Sequence, residues 1–67
     1  METGITVGDV IRVLEEAGWE VLAQGSTNYI LGKNEKRVTV PSHRKNLSIS
    51  AMENIIRITK IKLYIRN

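Results

Sequence analysis

Apolar residues recur at helical spacing near the start of the chain. Thr6 precedes this stripe, and Asp9 follows three residues later, a pattern typical of a helix N-terminus, where side-chain oxygens accept hydrogen bonds from free backbone N–H groups. Gly18 can adopt the left-handed conformation that ends a helix. The apolar residues that share one face of this predicted first helix are Val7, Val10, Ile11, Leu14 and Ala17.

The middle of the chain has the character of β-strands separated by tight turns. Three strands are predicted, at residues 19–24, 28–31 and 36–40. The sequence GKNE between the second and third contains the Gly and Asn that tight turns require. Pro41 ends the third strand because proline cannot donate a hydrogen bond to a sheet. The residues SHRKNL that follow are predicted to form a polar loop.

A second amphipathic helix is predicted after this loop. Ser50 and Glu53 have the spacing of a capping box, in which each side chain bonds the other residue's backbone N–H. The order of elements is therefore α-β-β-β-α, which predicts an α+β fold with two helices on one face of a three-stranded antiparallel sheet. The apolar stripe of the second helix comprises Met52, Ile55, Ile56 and Thr59.

The pattern changes from helical spacing to a period of two at the C-terminal end, in the sequence KIKLYIRN. Either the helix continues and frays, or the tail is a fourth strand. We favour the strand, which would need an edge to pair with, because an exposed alternating strand is a liability when it is unpaired. Such a tail could also join two copies of the chain as a homodimer.

The composition excludes several classes of protein. The chain has 67 residues, of which 42% are apolar and 25% charged, and these values are typical of a small globular domain. It has no cysteine, hence no disulfide and no thiolate metal site. It has no apolar run of about 18 residues and no signal segment. We therefore expect a single cytoplasmic domain over residues 1–67, with a core at about 6–60 and a C-terminal extension at 61–67.

The charge is unevenly distributed along the chain. Residues 1–24 carry a net charge of −4, with five acidic residues against Arg12, whereas residues 25–67 carry +7, with nine basic residues against Glu35 and Glu53. Such asymmetry is typical of a surface that binds a polyanion, most commonly nucleic acid. A solvated hairpin and tail without any partner would show the same charges, so both interpretations stay open on charge alone.

The inventory of reactive side chains is short. The sequence shows no carboxylate pair, phosphate-binding loop, metal-ligand cluster or Ser-His-Asp set, which argues against most enzyme classes. Trp19 could stack on a nucleic-acid base, but a tryptophan that follows a helix cap is more often a core residue. Tyr29 and Tyr64 are open to the same two interpretations.

An ordered set of short motifs resembles the HicA-type toxins of bacterial and archaeal toxin–antitoxin pairs. The set consists of VLEEAGWEVLAQGSTNYIL, then RVTVPSH, then a leucine and an amphipathic helix, and it covers residues 7–60. The family shows a first helix ending in Gly and an aromatic, then Gly-Ser, a histidine with a hydrophobic strand, and Val-Pro-x-His. The resemblance implies a double-stranded-RNA-binding-domain-like fold and an mRNA interferase, an endoribonuclease that needs no metal or cofactor. It also implies inhibition by a cognate HicB-type antitoxin.

The resemblance places the family's catalytic histidine one or two residues after Gly-Ser, a position best matched here by Asn28. Metal-free RNA cleavage requires a group that activates the 2′-hydroxyl and protonates the leaving oxygen, and imidazole titrates near neutral pH. An amide can only hydrogen-bond the substrate. The resemblance therefore implies an inactive chain, either engineered or degenerate. Alternatively, Asn28 merely begins a strand after a turn, as asparagine often does.

The remaining site residues are predicted to contact RNA. Backbone N–H groups of Gly25 and Ser26 could approach a phosphate, or these residues form an ordinary tight turn. His43 matches the Val-Pro-x-His motif, but a loop histidine beside two cations is more often a surface residue or phosphate contact than a catalyst. A non-catalytic RNA-binding or protein-interaction module with the same fold is the alternative function. The predicted RNA-binding set is Gly25, Ser26, Lys36, Arg37, His43, Arg44 and Lys45, with no metal ligand.

Overall fold

The computed structural model describes residues 2–63 of the chain, with side chains from residue 4 onward. Within these residues, the elements in chain order are β1 (Glu2–Thr6), α1 (Val7–Glu16), β2 (Glu20–Gln24), β3 (Asn28–Lys33), β4 (Lys36–Pro41), β5 (Asn46–Ser48) and α2 (Ile49–Thr59). Strands β2, β3 and β4 form an antiparallel sheet in chain order, and β1 and β5 form a separate antiparallel pair. The predicted α+β fold with two helices and a three-stranded antiparallel sheet is confirmed.

Helix α1 begins and ends as the sequence predicts. The Thr6 hydroxyl accepts a hydrogen bond from the backbone N–H of Asp9 over 3.1 Å and so caps the N-terminus. The last helical residue is Glu16, and Gly18 takes a φ of +97°, which lies in the left-handed region. This conformation lets the chain leave the helix and enter β2 within a few residues.

A lysine of the sheet closes the C-terminal end of α1. The half-buried ammonium group of Lys33 in β3 donates a hydrogen bond to the backbone carbonyl of Ala17. Carbonyl groups at a helix C-terminus lack intrahelical partners and carry partial negative charge, so a cation stabilises them. The two residues lie 16 positions apart, and no local sequence pattern predicts their contact.

The core lies between the two helices and one face of the sheet. Leu31 of β3 and Val38 and Val40 of β4 point to this face, as the alternation of each strand requires. Trp19 is only 4% exposed, so its interpretation as a core residue is confirmed. The buried apolar residues are Val10, Leu14, Trp19, Leu31, Val38, Val40, Leu47, Met52 and Ile55.

The predicted polar loop after Pro41 and the predicted cap of α2 are partly wrong. Asn46–Ser48 is the short strand β5, paired with an unpredicted N-terminal strand, β1. Three residues are too few to show an alternating pattern, and the pairing is non-local. The cap of α2 is Ser48, whose hydroxyl accepts a hydrogen bond from the backbone N–H of Ala51 over 3.2 Å. Ser50 lies instead inside the first turn.

The predicted C-terminal strand is not present in the part of the tail that the structure describes. Helix α2 ends at Thr59, Lys60 takes a left-handed φ of +62°, and residues 61–63 are irregular. Ile61 and Leu63 are half-buried and pack against the core. Their period-two spacing therefore reflects contact with the domain. Residues 64–67, where the rest of this strand and Tyr64 fall, lie outside the described residues.

The predicted turn between β3 and β4 is confirmed, with a different role for its glycine. Lys33 pairs with Lys36, which leaves Asn34 and Glu35 as a two-residue turn with φ values of +49° and +69°. These angles are those of the hairpin turn that favours Asn-Gly. Gly32 lies within β3 instead, where an added Cβ would come within 2.6 Å of the Leu22 side chain.

Replacing the second turn residue with glycine should stabilise the domain. Glu35→Gly removes the steric cost of a left-handed side-chain-bearing residue, so we expect the free energy of unfolding to rise by about 0.5–1 kcal/mol. Urea unfolding measures the change. Glu35→Gln is the matched control, because it removes the charge but keeps the Cβ. Equal stability of the two variants would show that the turn is not strained at this position.

Candidate functional site

Two loops meet at the end of the sheet where β3 begins and β4 ends. Asn28, the first residue of β3, pairs with Pro41, the last residue of β4. The backbone N–H of Gly25 donates to the carbonyl of Asn28 over 2.8 Å, and the N–H of Ser42 donates to the carbonyl of Thr27 over 2.7 Å. The first bond closes the turn between β2 and β3, and the second attaches that turn to the loop after β4.

One backbone N–H group of the Gly-Ser turn is already hydrogen-bonded within the turn. Because the N–H of Gly25 bonds Asn28, it is occupied in this conformation, whereas Ser26 lies exposed at the tip of the turn. Gly25 does not take a left-handed φ, and an added Cβ would meet only the Asn28 carbonyl oxygen at 3.5 Å, an ordinary contact. The described geometry is that of a tight turn that presents Asn28.

The side chain of Asn28 lies on the face of the sheet opposite the helices. We call this surface the open face. The inward positions of β3 and β4 are occupied by core residues, so alternate residues point outward. Asn28 is exposed there, free to reach a bound molecule. The outward residues of these two strands are Asn28, Ile30, Gly32, Arg37, Thr39 and Pro41.

The predicted histidine and its neighbouring cations lie at the same end of the sheet as Asn28. His43 follows two residues after Pro41, the pairing partner of Asn28, and is exposed together with Arg44 and Lys45. We call these three residues the loop group. Two of them, His43 and Arg44, border a cleft of about 280 Å³ at the N-terminal end of α2. The fold thus places the chain's single imidazole at the same end of the sheet as the amide at position 28.

The other two predicted RNA-binding cations lie at the opposite end of β4. Lys36 is the first residue of that strand and Arg37 the second; we call them the hairpin group. A six-residue strand spans about 17 Å at about 3.3 Å per residue. Both side chains are exposed, and Arg37 donates a hydrogen bond to the carbonyl of its neighbour Lys36 over 3.0 Å. The predicted set is therefore divided between the two ends of the sheet.

The charge asymmetry of the sequence becomes a difference between two surfaces. Neither β3 nor β4 contains an acidic residue. Helix α1 instead exposes Asp9, Glu15 and Glu16, and its single cation, Arg12, pairs with Asp9 over 3.5 Å. The open face with its two flanking cationic groups is therefore net positive, although Glu20 of β2 lies beside Arg37 on it, and the exposed side of α1 is negative.

Two large apolar side chains on the open face were missed by sequence reasoning. Leu22 is 50% exposed and Ile30 is 38% exposed. The register of β2 against β3 shifts between Val21 and Ala23, which is the mark of a β-bulge, and the Leu22 side chain covers Gly32. The sequence feature that indicates an exposed apolar side chain here is the consecutive apolar pair Val21-Leu22, because neighbouring residues of a strand point to opposite faces.

Hydrogen bonding and cation contacts are the chemistry that these residues offer. Within residues 2–63, no group of three or more His, Asp or Glu side chains is placed to hold a metal ion. No helix in the same residues has the length and apolar character needed to cross a membrane. The Asn28 amide can donate and accept hydrogen bonds, and the cations can contact phosphates.

The comparisons with known proteins identify one family. A family model described as HicA toxin of bacterial toxin-antitoxin matches residues 7–61. This range runs from the first residue of α1 to just beyond α2 and contains every predicted site residue. Neither a curated protein nor a solved structure gives a significant match. The resemblance drawn from the ordered motifs over residues 7–60 is confirmed.

Proposed function

This chain belongs to the HicA family of toxins from bacterial toxin–antitoxin pairs, and on that premise we propose that it binds mRNA but cleaves it negligibly. The observation that carries the proposal is the amide of Asn28. It is exposed on the open face beside the loop group, in the position that best matches the catalytic histidine of the family's metal-independent endoribonucleases.

The loss of cleavage follows from the chemistry of the amide. Attack by the 2′-hydroxyl needs a group that accepts its proton, and the departing oxygen needs a group that supplies one. Asn28 does neither near neutral pH, but it can still hydrogen-bond a phosphate or a hydroxyl. The tight turn closed by the N–H of Gly25 holds position 28 in place. An exchange of histidine for asparagine there would therefore alter the reacting group and leave the surrounding backbone unchanged.

Binding should survive because it depends on other residues. The loop group and the hairpin group supply exposed cations for phosphates. We assign His43 a phosphate or sugar contact in this arrangement, because it is an exposed loop residue followed by two cations. RNA binding without turnover would let the chain occupy mRNA or compete with an active toxin.

The partner that we propose is a HicB-type antitoxin that covers the site. An occluding partner would bury Asn28 and the loop around His43, with acidic groups opposite Arg44 and Lys45. Leu22 and Ile30, farther along the open face, supply exposed apolar area, which commonly marks a protein-binding surface. The same pair favours the second candidate function, a non-catalytic protein-interaction module.

Restoring an imidazole should restore cleavage. Asn28→His places a proton-exchanging group on the exposed start of β3, where general acid–base catalysis contributes roughly 10²–10⁴-fold in rate. Cleavage of a labelled RNA measures the effect, and Asn28→Gln is the matched control without proton exchange. Thermal unfolding and RNA affinity of all three proteins check folding and binding.

Two outcomes would contradict this assignment. If the chain with Asn28 cleaves as fast as Asn28→His, the catalytic group lies elsewhere, and His43→Asn is the next variant to assay. If neither protein cleaves although both bind RNA equally, the chain is a binding module.

Affinity for RNA should fall steeply as salt rises. Each phosphate contacted by a cation contributes about −0.7 to −0.9 to the slope of log K against log salt, because binding releases counterions. Fluorescence anisotropy with a labelled oligonucleotide gives the slope. The double variant Arg44→Gln, Lys45→Gln should reduce its magnitude by about 1 to 2. A lack of binding at low salt, or binding insensitive to salt, would refute RNA binding through phosphates.

The open face should lie inside the antitoxin interface. Leu22→Asp places a charge in the apolar patch, so we expect at least a tenfold loss of affinity for a cognate HicB-type antitoxin. Calorimetric titration measures the affinity. Ser50→Asp, at an exposed position of α2, is the control with the same added charge. A complex structure that leaves Asn28 and the loop group uncovered would exclude inhibition by occlusion.

A further inference from the structure

The structure also indicates how RNA would lie on the domain. Building on the RNA binding proposed above, we infer that RNA lies as a single strand along the open face, parallel to β4. It runs from Arg37 at the hairpin end to Asn28 and the loop group at the other. A duplex held against the helices is the competing arrangement.

The two cationic groups bracket a path along β4, whose acidic neighbours, Glu20 of β2 and Glu35 of the turn, both lie at the hairpin end. Arg37 is the second residue of β4, and the loop group follows the other end of the strand, whose last residue lies about 13 Å from Arg37. Between them Thr39 exposes a hydroxyl on the open face, in register with Ile30. A polyanion on this path would meet cations at both ends and no carboxylate from β3 or β4 in between.

The α1 side of the helical layer offers a poorer surface for a duplex, whereas the exposed charges of α2 are Glu53 and Arg57. Double-stranded RNA is recognised mainly through phosphates and 2′-hydroxyls across successive grooves, which requires a broad cationic surface. The exposed side of α1 carries Asp9, Glu15 and Glu16, and the charge of its Arg12 is paired with Asp9. Repulsion of phosphates by these carboxylates favours the opposite side of the domain.

Among residues 4–63, no aromatic side chain lies on the open face to stack on bases. Trp19 is buried, and Tyr29 points inward among residues packed against the core. The aliphatic side chains of Leu22 and Ile30 border the path on the β2 side. A strand held here would be bound through its backbone, with weak sequence preference and a footprint of about four nucleotides, the lower end for electropositive grooves.

The test compares matched charge removals on the two sides of the domain. Arg37→Gln removes a cation from the proposed path, and Arg57→Gln removes one from exposed α2, where it bonds Asn54. Affinities are measured over a salt series for unstructured oligonucleotides of two to ten nucleotides and for a perfect hairpin duplex. Circular dichroism confirms the fold of each variant.

The expected result has three parts. Affinity for single strands exceeds that for the duplex and stops rising sharply beyond about four nucleotides. Arg37→Gln weakens single-strand binding about three- to tenfold and reduces the magnitude of the salt slope by about 0.7. Arg57→Gln changes affinity less than twofold.

Other outcomes overturn the inference in distinguishable ways. Equal losses from Arg37→Gln and Arg57→Gln would indicate diffuse attraction without a defined path. Tighter binding of the duplex, with the larger loss from Arg57→Gln, would place RNA on the helices. No effect of Arg37→Gln, together with a loss from the Arg44, Lys45 double variant, would refute the path and leave the proposed function standing. No binding by any protein would remove both.

Discussion

The register of the β3–β4 hairpin is the constraint on which the rest of the domain depends. Lys33 opposite Lys36 sets the pairing, and the two-residue turn between them makes that pairing compatible with the twist of the strands. A slip of one residue would turn every side chain of a strand to the other face. Leu31, Val38 and Val40 would then leave the core.

The same register determines the functional surface. It sends Arg37 and Thr39 to the open face, and it places Asn28 opposite Pro41 at the far end. Because Pro41 ends β4, the loop group begins where β3 starts, and the Ser42–Thr27 hydrogen bond joins the two loops. Core packing and site geometry are therefore two consequences of one pairing. The contact of Lys33 with the end of α1 ties the helix to this hairpin as well.

The arrangement separates binding from chemistry. Cations that can hold RNA are distributed over loops and strand ends, whereas proton exchange in the proposed mechanism depends on one position at the start of β3. Asn28 is exposed and outside the core, so on the proposed function an exchange of imidazole for amide there would remove no core contact. A chain of this family would then lose catalysis and keep its structure and the surface that a partner would cover.

Local patterns in the sequence determined much of this protein. The caps of α1, the three strands, the turn at Asn34 and the buried face of each helix follow from periodicity and turn chemistry within a few residues, and the family motifs pointed to Asn28. The tertiary structure alone decided the β1–β5 pairing, the contact of Lys33 with Ala17, the exposure of Leu22 at a bulge and the division of the cations between two ends. These features bring together residues that are far apart in the chain, and no local spacing of residues indicates which side chains will meet.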